Sequence, residues 1–67
     1  MKPDEIRNNL NRYVRYTSAK LGIDGVYRLT GAIIRRNEKG CYYQAELQEL
    51  NDKKAIIICS LKDITAE

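Results

Sequence analysis

A chain of 67 residues has room for one small domain, in which folding removes only about 60% of the unfolded chain's surface from water. Its 43% hydrophobic and 31% charged residues are typical of an ordinary soluble globular protein. The longest uncharged apolar run, residues 55–60, is too short to span a bilayer, and residues 1–5 lack the apolar stretch of a secretory signal. We therefore predict no membrane segment and a cytoplasmic location.

The first predicted element is an amphipathic helix over about residues 3–21. Pro3 suits the first helical position, and Asp4 and Glu5 complement the helix dipole in the first turn. Gly22 is placed to cap the carboxyl end. Apolar residues recur at spacings of three and four along this segment and form one stripe, which consists of Ile6, Leu10, Tyr13, Val14, Thr17 and Leu21.

Three segments with alternating apolar residues follow, and they predict antiparallel strands over about residues 26–36, 41–50 and 54–61. Between the first two, Asn37 and Gly40 suit a three-residue loop in which Gly40 takes the left-handed conformation. A second three-residue loop, residues 51–53, places the odd-numbered apolar residues of the third strand opposite apolar partners on the second strand. The predicted fold of residues 1–67 is α+β, with the helix packed on one face of a three-stranded antiparallel β-meander in the order α-β-β-β.

The two loop lengths determine which residues share a face of this sheet. The first loop sets Ile33 opposite Ala45. The second sets Ala45 opposite Cys59, and Leu47 opposite Ile57. The predicted core face consists of Tyr27, Leu29, Gly31, Ile33, Cys41, Tyr43, Ala45, Leu47, Ala55, Ile57, Cys59 and Leu61. The helical stripe is expected to cover it.

The sequence contains few residues that could form a disulfide, act in catalysis or bind a metal. Cys41 and Cys59 are separated by roughly 13 Å along neighbouring predicted strands, beyond the reach of a disulfide, so we predict buried free thiols. There is no histidine, no four-ligand cysteine pattern and no glycine-rich phosphate loop, and the carboxylates form no acid–base pair. We therefore predict that the protein is not an enzyme and has no catalytic residue, metal, cofactor or small-molecule substrate.

Positive charge is concentrated in the first half of the chain. Residues 1–36 carry eight basic and three acidic side chains, and all six arginines lie there. Arginine makes forked contacts with phosphate, so one functional hypothesis is nucleic-acid binding through an arginine-rich helix and first strand. The residues proposed for this surface are Arg7, Arg12, Arg15, Lys20, Arg28, Arg35 and Arg36. Tyr16 and Tyr42 are the tyrosines predicted to be exposed, and Tyr13, Tyr27 and Tyr43 are predicted to pack.

The even-numbered face of the predicted sheet leads to a different hypothesis. It mixes polar residues with large apolar ones that the helix does not cover, and such a patch is typical of a protein interface. The proposed interface residues are Ala32, Ile34, Tyr42, Ile56 and Ile58. We interpret the chain primarily as a small non-enzymatic protein-interaction or accessory module that forms a homodimer or binds a protein partner, with nucleic-acid binding as the alternative.

Overall fold

The computed structural model describes all of residues 1–67 and is dominated by a single antiparallel sheet. A short helix precedes five strands, and a 3-10 helix separates the last two. The elements in chain order are α1 (Pro3–Asn9), β1 (Tyr13–Ser18), β2 (Ile23–Asn37), β3 (Gly40–Gln48), β4 (Ile56–Ser60), η1 (Leu61–Asp63) and β5 (Ile64–Ala66). The predicted α-β-β-β meander is therefore wrong, because most of the structure is a five-stranded sheet.

Helix α1 begins as predicted and ends twelve residues early. Pro3 occupies its first turn, and the Lys2 backbone N–H donates to the Glu5 carboxylate over 3.0 Å. After Asn9 the chain leaves the helix. Asn11 has a φ of +63°, in the left-handed region that asparagine tolerates better than most residues. Its backbone N–H then donates to the Leu29 carbonyl of β2 over 2.7 Å, which turns the chain onto the sheet.

Strand β1 occupies the middle of the predicted helix. Its sequence, Tyr13–Ser18, is rich in aromatic and β-branched residues, which favour strands. Val14 and Tyr16 alternate with exposed or half-exposed neighbours and are buried in the core. The Tyr16 ring lies 6.0 Å from the Tyr27 ring in an edge-to-face arrangement. Tyr16 is therefore packed and Tyr13 exposed, the reverse of the prediction.

The strand order β4-β3-β2-β1-β5 places β4 and β5 at opposite edges of the sheet. These two strands are nevertheless joined by only the three residues of η1. Because so short a connection cannot cross the width of a flat five-stranded sheet, the sheet must curl until its two edges approach each other. The curled sheet encloses the core, to which α1 contributes Ile6.

The register between β2 and β3 differs from the prediction at the loop. Asn37 lies opposite Gly40, so the loop contains two residues instead of three. Ala32 is consequently opposite Ala45, and Ile34 is opposite Tyr43. A shift of one residue moves side chains to the other face of a strand. The far half of β2 therefore presents its even-numbered residues, and not Ile33, on the face that continues the core.

A β-bulge reverses this shift nearer the centre of the sheet. Thr30 is the extra residue, since Leu29 pairs with Leu47 while Gly31 pairs with Glu46. The Thr30 hydroxyl lies 3.1 Å from both the backbone carbonyl and the carboxylate of Glu46. The bulge returns Leu29 to the core face, as the sequence predicted, and Leu29 is buried there.

The predicted register between β3 and β4 is confirmed. Ala45 lies opposite Cys59 and Leu47 lies opposite Ile57. The connection is longer than the predicted three-residue loop, because β3 ends at Gln48 and β4 begins at Ile56. The backbone N–H of Glu49 donates to the Ala55 carbonyl over 3.1 Å and extends the same register into this connection.

The core is small and apolar. Its nine buried residues are Ile6, Val14, Tyr16, Leu29, Ala45, Leu47, Cys59, Leu61 and Ile64. Leu10 and Leu21, predicted to pack from the helix, are exposed, as is Cys41. The chain contains no helix with the length and apolar character needed to cross a membrane.

Candidate interaction surface

The β2–β3 hairpin extends beyond the rest of the sheet, and we call its residues 32–44 the hairpin arm. Strand β4 ends at Ser60, which lies opposite Gln44. Residues 40–43 of β3 therefore pair with β2 alone, and no third strand covers this part of the sheet. The two-residue loop closes the arm, with the Asn37 side chain accepting a hydrogen bond from the Lys39 backbone N–H at 2.8 Å.

The arm exposes large apolar and aromatic side chains on both faces. Ile34 and Tyr43 lie opposite each other on the face that continues the core, with exposed fractions of 66% and 41%. Tyr42 lies on the other face, opposite Arg35, and is 39% exposed. The Arg35 guanidinium donates to the side-chain carbonyl of Gln44. These residues stay exposed because the sheet curls and closes its core before it reaches the arm.

A groove of about 510 Å³ lies at the base of the arm. Tyr42, Tyr43 and Leu61 supply apolar surface, and Lys2 and Lys62 supply positive charge. No acidic residue lines it; the remaining lining residues are Met1, Pro3 and Ser60. Positive charge beside an apolar surface is suited to a ligand that carries both carboxylates and apolar groups.

The five residues predicted to form one interface fall into two groups. Ala32 and Ile34 lie on the face that continues the core, because the shorter loop moved the even-numbered residues of β2 there. Tyr42, Ile56 and Ile58 lie on the opposite, outer face of the sheet. The single even-numbered patch does not exist. All five side chains are nevertheless exposed.

The seven residues predicted to form a basic surface are dispersed. Arg7 lies on α1, Arg12 in the turn that follows it, and Lys20 in the turn between β1 and β2. Arg35 and Arg36 lie at the other end of β2, in the hairpin arm. Because residues 10–21 are not helical, the expected cationic helix face is absent, and Arg35 and Arg36, although consecutive, point to opposite faces of β2.

Arg15 is neutralised by two carboxylates. Its guanidinium donates to Asp24 over 2.9 Å and to Glu67 over 3.4 Å. These hydrogen bonds, that of Asp24 first, raise the pKa of Arg15. Asp24 lies on β2 and Glu67 follows β5, the two strands that pair with β1. Both acids reach Arg15 because residues 13–18 form a strand, where the sequence predicted a helix. Arg15 is thus engaged by carboxylates that a phosphate would have to displace.

Arg28 is half-buried on the outer face of β2. Its guanidinium carbon lies 5.9 Å from the centre of the Tyr13 ring, within the range of a cation–π contact. The Arg28 Nε is buried without a hydrogen-bond partner. Tyr13 lies opposite Arg28 in the β1–β2 ladder, so this pair belongs to the sheet surface and not to the arm.

The cysteines differ sharply in environment. Both are free, with Cys41 exposed on the arm and Cys59 buried. Burial, and secondarily the charge of Asp63, raises the pKa of the Cys59 thiol to about 11. A thiol with that pKa is protonated at neutral pH and is a poor nucleophile. No group of three or more histidine, cysteine, aspartate or glutamate side chains is arranged to hold a metal ion.

The sequence contained one usable signal for the arm that the prediction overlooked. In the predicted register the third strand ends at Leu61, opposite Tyr43, and leaves Cys41 and Tyr42 without a partner, so the tip of the hairpin had to remain uncovered. The unbroken alternation of Tyr43 with Ala45 predicts that Tyr43 packs in the core. Alternation identifies a face of a strand, but it does not show where the covering layer ends.

Comparison of the chain with protein-family models, with curated proteins and with solved structures finds no match.

Proposed function

We propose that the chain is a non-enzymatic protein-interaction module that binds its partner through the hairpin arm. The observation that carries this proposal is the exposure of Ile34 and Tyr43 on one face of the arm, and of Tyr42 with Arg35 on the other, where residues 40–43 pair with β2 alone. Tyrosine and arginine are enriched among the residues that dominate binding energy at protein interfaces.

The groove at the base of the arm indicates the chemistry of the partner. Its apolar surface comes from the same tyrosines as the arm, and Lys2 and Lys62 flank it. The arm itself has three basic residues and one acidic residue. We infer that the partner presents a segment in which apolar side chains are accompanied by carboxylates, since both features are then complemented.

We also propose that the chain has no enzymatic activity. The chain has no histidine, and the Cys59 thiol is buried with a raised pKa. A cytoplasmic location is also part of the proposal, because two unpaired cysteines in so small a chain are typical of a reducing compartment.

Binding of single-stranded nucleic acid is the second candidate. Tyr42 and Tyr43 are exposed on an arm that also carries Arg35 and Arg36. Aromatic side chains stack on bases, and arginines contact the phosphates between them. In this candidate function the arm alone binds the nucleic acid, in place of the seven-residue basic surface predicted from the sequence. This candidate predicts affinity that falls steeply as salt concentration rises, because cations are released from the nucleic acid on binding.

A matched pair of variants tests the first candidate. Ile34 on the arm and Leu21 in the β1–β2 turn are 66% and 65% exposed. We expect Ile34→Ser and Tyr43→Ser to abolish co-purification of the partner protein from the native cell, while Leu21→Ser retains it. Partner recovery that is equal in all variants would contradict the proposal. Thermal unfolding of each variant serves as the folding control.

Fluorescence anisotropy with a labelled single strand of about 16 nucleotides tests the second candidate. Below about 50 mM salt, binding that is lost in Arg35→Glu/Arg36→Glu and kept in Arg7→Glu/Arg12→Glu would support it. Failure of the wild-type protein to bind under these conditions would eliminate it.

A further inference from the structure

Strand β4 forms an open, uncharged edge of the sheet. Its sequence, Ile56–Ser60, contains no charged residue, proline, glycine or bulge, which are the features that normally protect an edge strand from pairing. Ile56 and Ile58 are 47% and 40% exposed. An edge of this kind is a ready template for another strand.

The hydrogen-bond pattern shows which backbone groups are unpaired at this edge. The bond from Glu49 N–H to the Ala55 carbonyl belongs to the β3–β4 register. Because bonded pairs alternate along an antiparallel ladder, Ile57 and Cys59 are the β4 residues that bond β3. The N–H and C=O groups of Ile56 and Ile58 and the N–H of Ser60 therefore point away from the sheet, whereas the Ser60 carbonyl belongs to the N-cap of η1.

The other edge of the sheet is less available. The Met1 ammonium donates to the carbonyls of Leu61 and Ile64 over 2.7 and 2.9 Å. Ile64 begins β5, so the Met1 contact occupies part of the β5 edge. β5 also contains only three residues, whereas β4 contains five. Pairing of β4 with β5 of another copy would have to displace Met1, but pairing of β4 with itself would not.

We propose that two copies of the chain associate by antiparallel pairing of their β4 strands about a two-fold axis at Ile58. Ile58 then pairs with Ile58 of the partner copy, and Ile56 pairs with Ser60 of the partner copy, so that the N–H groups of Ile58 and Ser60 in each copy donate across the axis to the carbonyls of Ile58 and Ile56. The two sheets become one of ten strands. Because β4 is uncharged, no like charges meet within the paired segment, and the exposed isoleucines pack against each other across the axis.

This arrangement is independent of the hairpin arm. The arm extends past the end of β4 at Ser60, so each copy keeps its arm free to bind a partner. A dimer of this kind would carry two arms, and a partner with two binding segments would gain avidity. The dimer can be tested without knowledge of any partner.

Proline at position 58 is the decisive substitution. The Ile58 N–H points away from β3, so Ile58→Pro removes an edge donor while leaving the β3–β4 ladder intact. Ile58→Thr keeps the N–H and shortens the side chain. By sedimentation at micromolar concentration, we expect the wild type at about twice the 7.8 kDa chain mass. Ile58→Pro should sediment as the monomer, and Ile58→Thr should dimerise with roughly tenfold weaker affinity.

Amide hydrogen exchange tests the same pairing without a substitution. The N–H groups of Ile58 and Ser60 should exchange slowly in the concentrated wild type and rapidly after dilution to the monomer. A wild type that is monomeric at high micromolar concentration, an Ile58→Pro variant that is folded and dimeric, or a mass above that of a dimer would each overturn the proposal. If Ile58→Pro fails to fold, the exchange measurement alone decides: fast exchange in the concentrated protein would refute the pairing.

Discussion

Leu29 of β2 lies directly opposite Leu47 of β3, and neither side chain is exposed to solvent. The two residues lie immediately before the β-bulge at Thr30. On one side of the bulge the odd-numbered residues of β2 face the core, and on the other side the even-numbered residues share that face. The bulge is therefore the point at which the buried sheet becomes the exposed hairpin arm.

The first prediction compares one leucine and one isoleucine on the same strand. Leu29→Ala should lower the free energy of unfolding by about 2–5 kcal/mol, because it leaves a cavity in a small core. Ile34→Ala should change it by no more than about 0.5 kcal/mol, because Ile34 is mostly exposed. Urea denaturation measures both. Equal losses would show that the far half of β2 is covered and that the arm is not exposed.

The second prediction uses Asn11 to distinguish the observed turn from a continuous helix. In a helix over residues 3–21, Asn11→Ala would raise the free energy of unfolding by about 0.5 kcal/mol, because alanine is the better helix former. At the observed φ of +63°, the same change should lower it by about 1 kcal/mol. Asn8→Ala, within α1, is the control and should be neutral or stabilising. A stabilised Asn11→Ala variant would contradict the turn.

These two predictions concern the regions where the sequence was least informative. The start of α1, the existence of β2, β3 and β4, and the register of Ala45 with Cys59 could be predicted from capping residues and alternation. Residues 10–21 could not, since Leu10, Tyr13, Val14 and Leu21 fit a helical period as well as Val14 and Tyr16 fit a strand. The deciding contact is the pairing of β1 with Ile64–Ala66, about fifty residues along the chain, which no local pattern reveals.

The candidate site was only partly predictable for a related reason. Ile34, Tyr42, Ile56 and Ile58 were recognised as apolar residues without a cover, and all are exposed. Their arrangement depended on the length of one loop and on one bulged residue, and each of these moves side chains between faces. The basic surface depended on a helix that does not form.

The third prediction concerns the two thiols. Cys41 is exposed and Cys59 is buried, so a disulfide reagent at neutral pH should modify Cys41 rapidly and Cys59 only when the chain unfolds. Mass spectrometry after digestion assigns the modified residue. Denaturant added before the reagent should equalise the two rates. Modification of Cys59 at the rate of Cys41 in the folded protein would contradict the burial of Cys59.

The fourth prediction follows from the raised pKa of the Cys59 thiol. In the unfolded chain the thiol loses its proton near its ordinary pKa of 9.0, whereas in the folded protein it keeps the proton until about pH 11. Its contribution to stability is therefore complete below pH 9.0 and is lost as the pH rises through 11. Between these values the free energy of unfolding should fall more steeply for the wild type than for Cys59→Ala. Parallel curves would show that the thiol is not shielded from water.

The most direct test of the account is site-specific photo-cross-linking from the hairpin arm inside the native cell. A photoreactive phenylalanine derivative replaces Tyr43 in one variant and Leu21 in another, and each cross-linked product is identified by mass spectrometry and treated with nuclease. The account predicts a nuclease-resistant cross-link from position 43 to one distinct protein and none from position 21. Cross-linking to the same proteins from both positions, or only to nucleic acid from position 43, would contradict the proposal that the arm binds a protein partner.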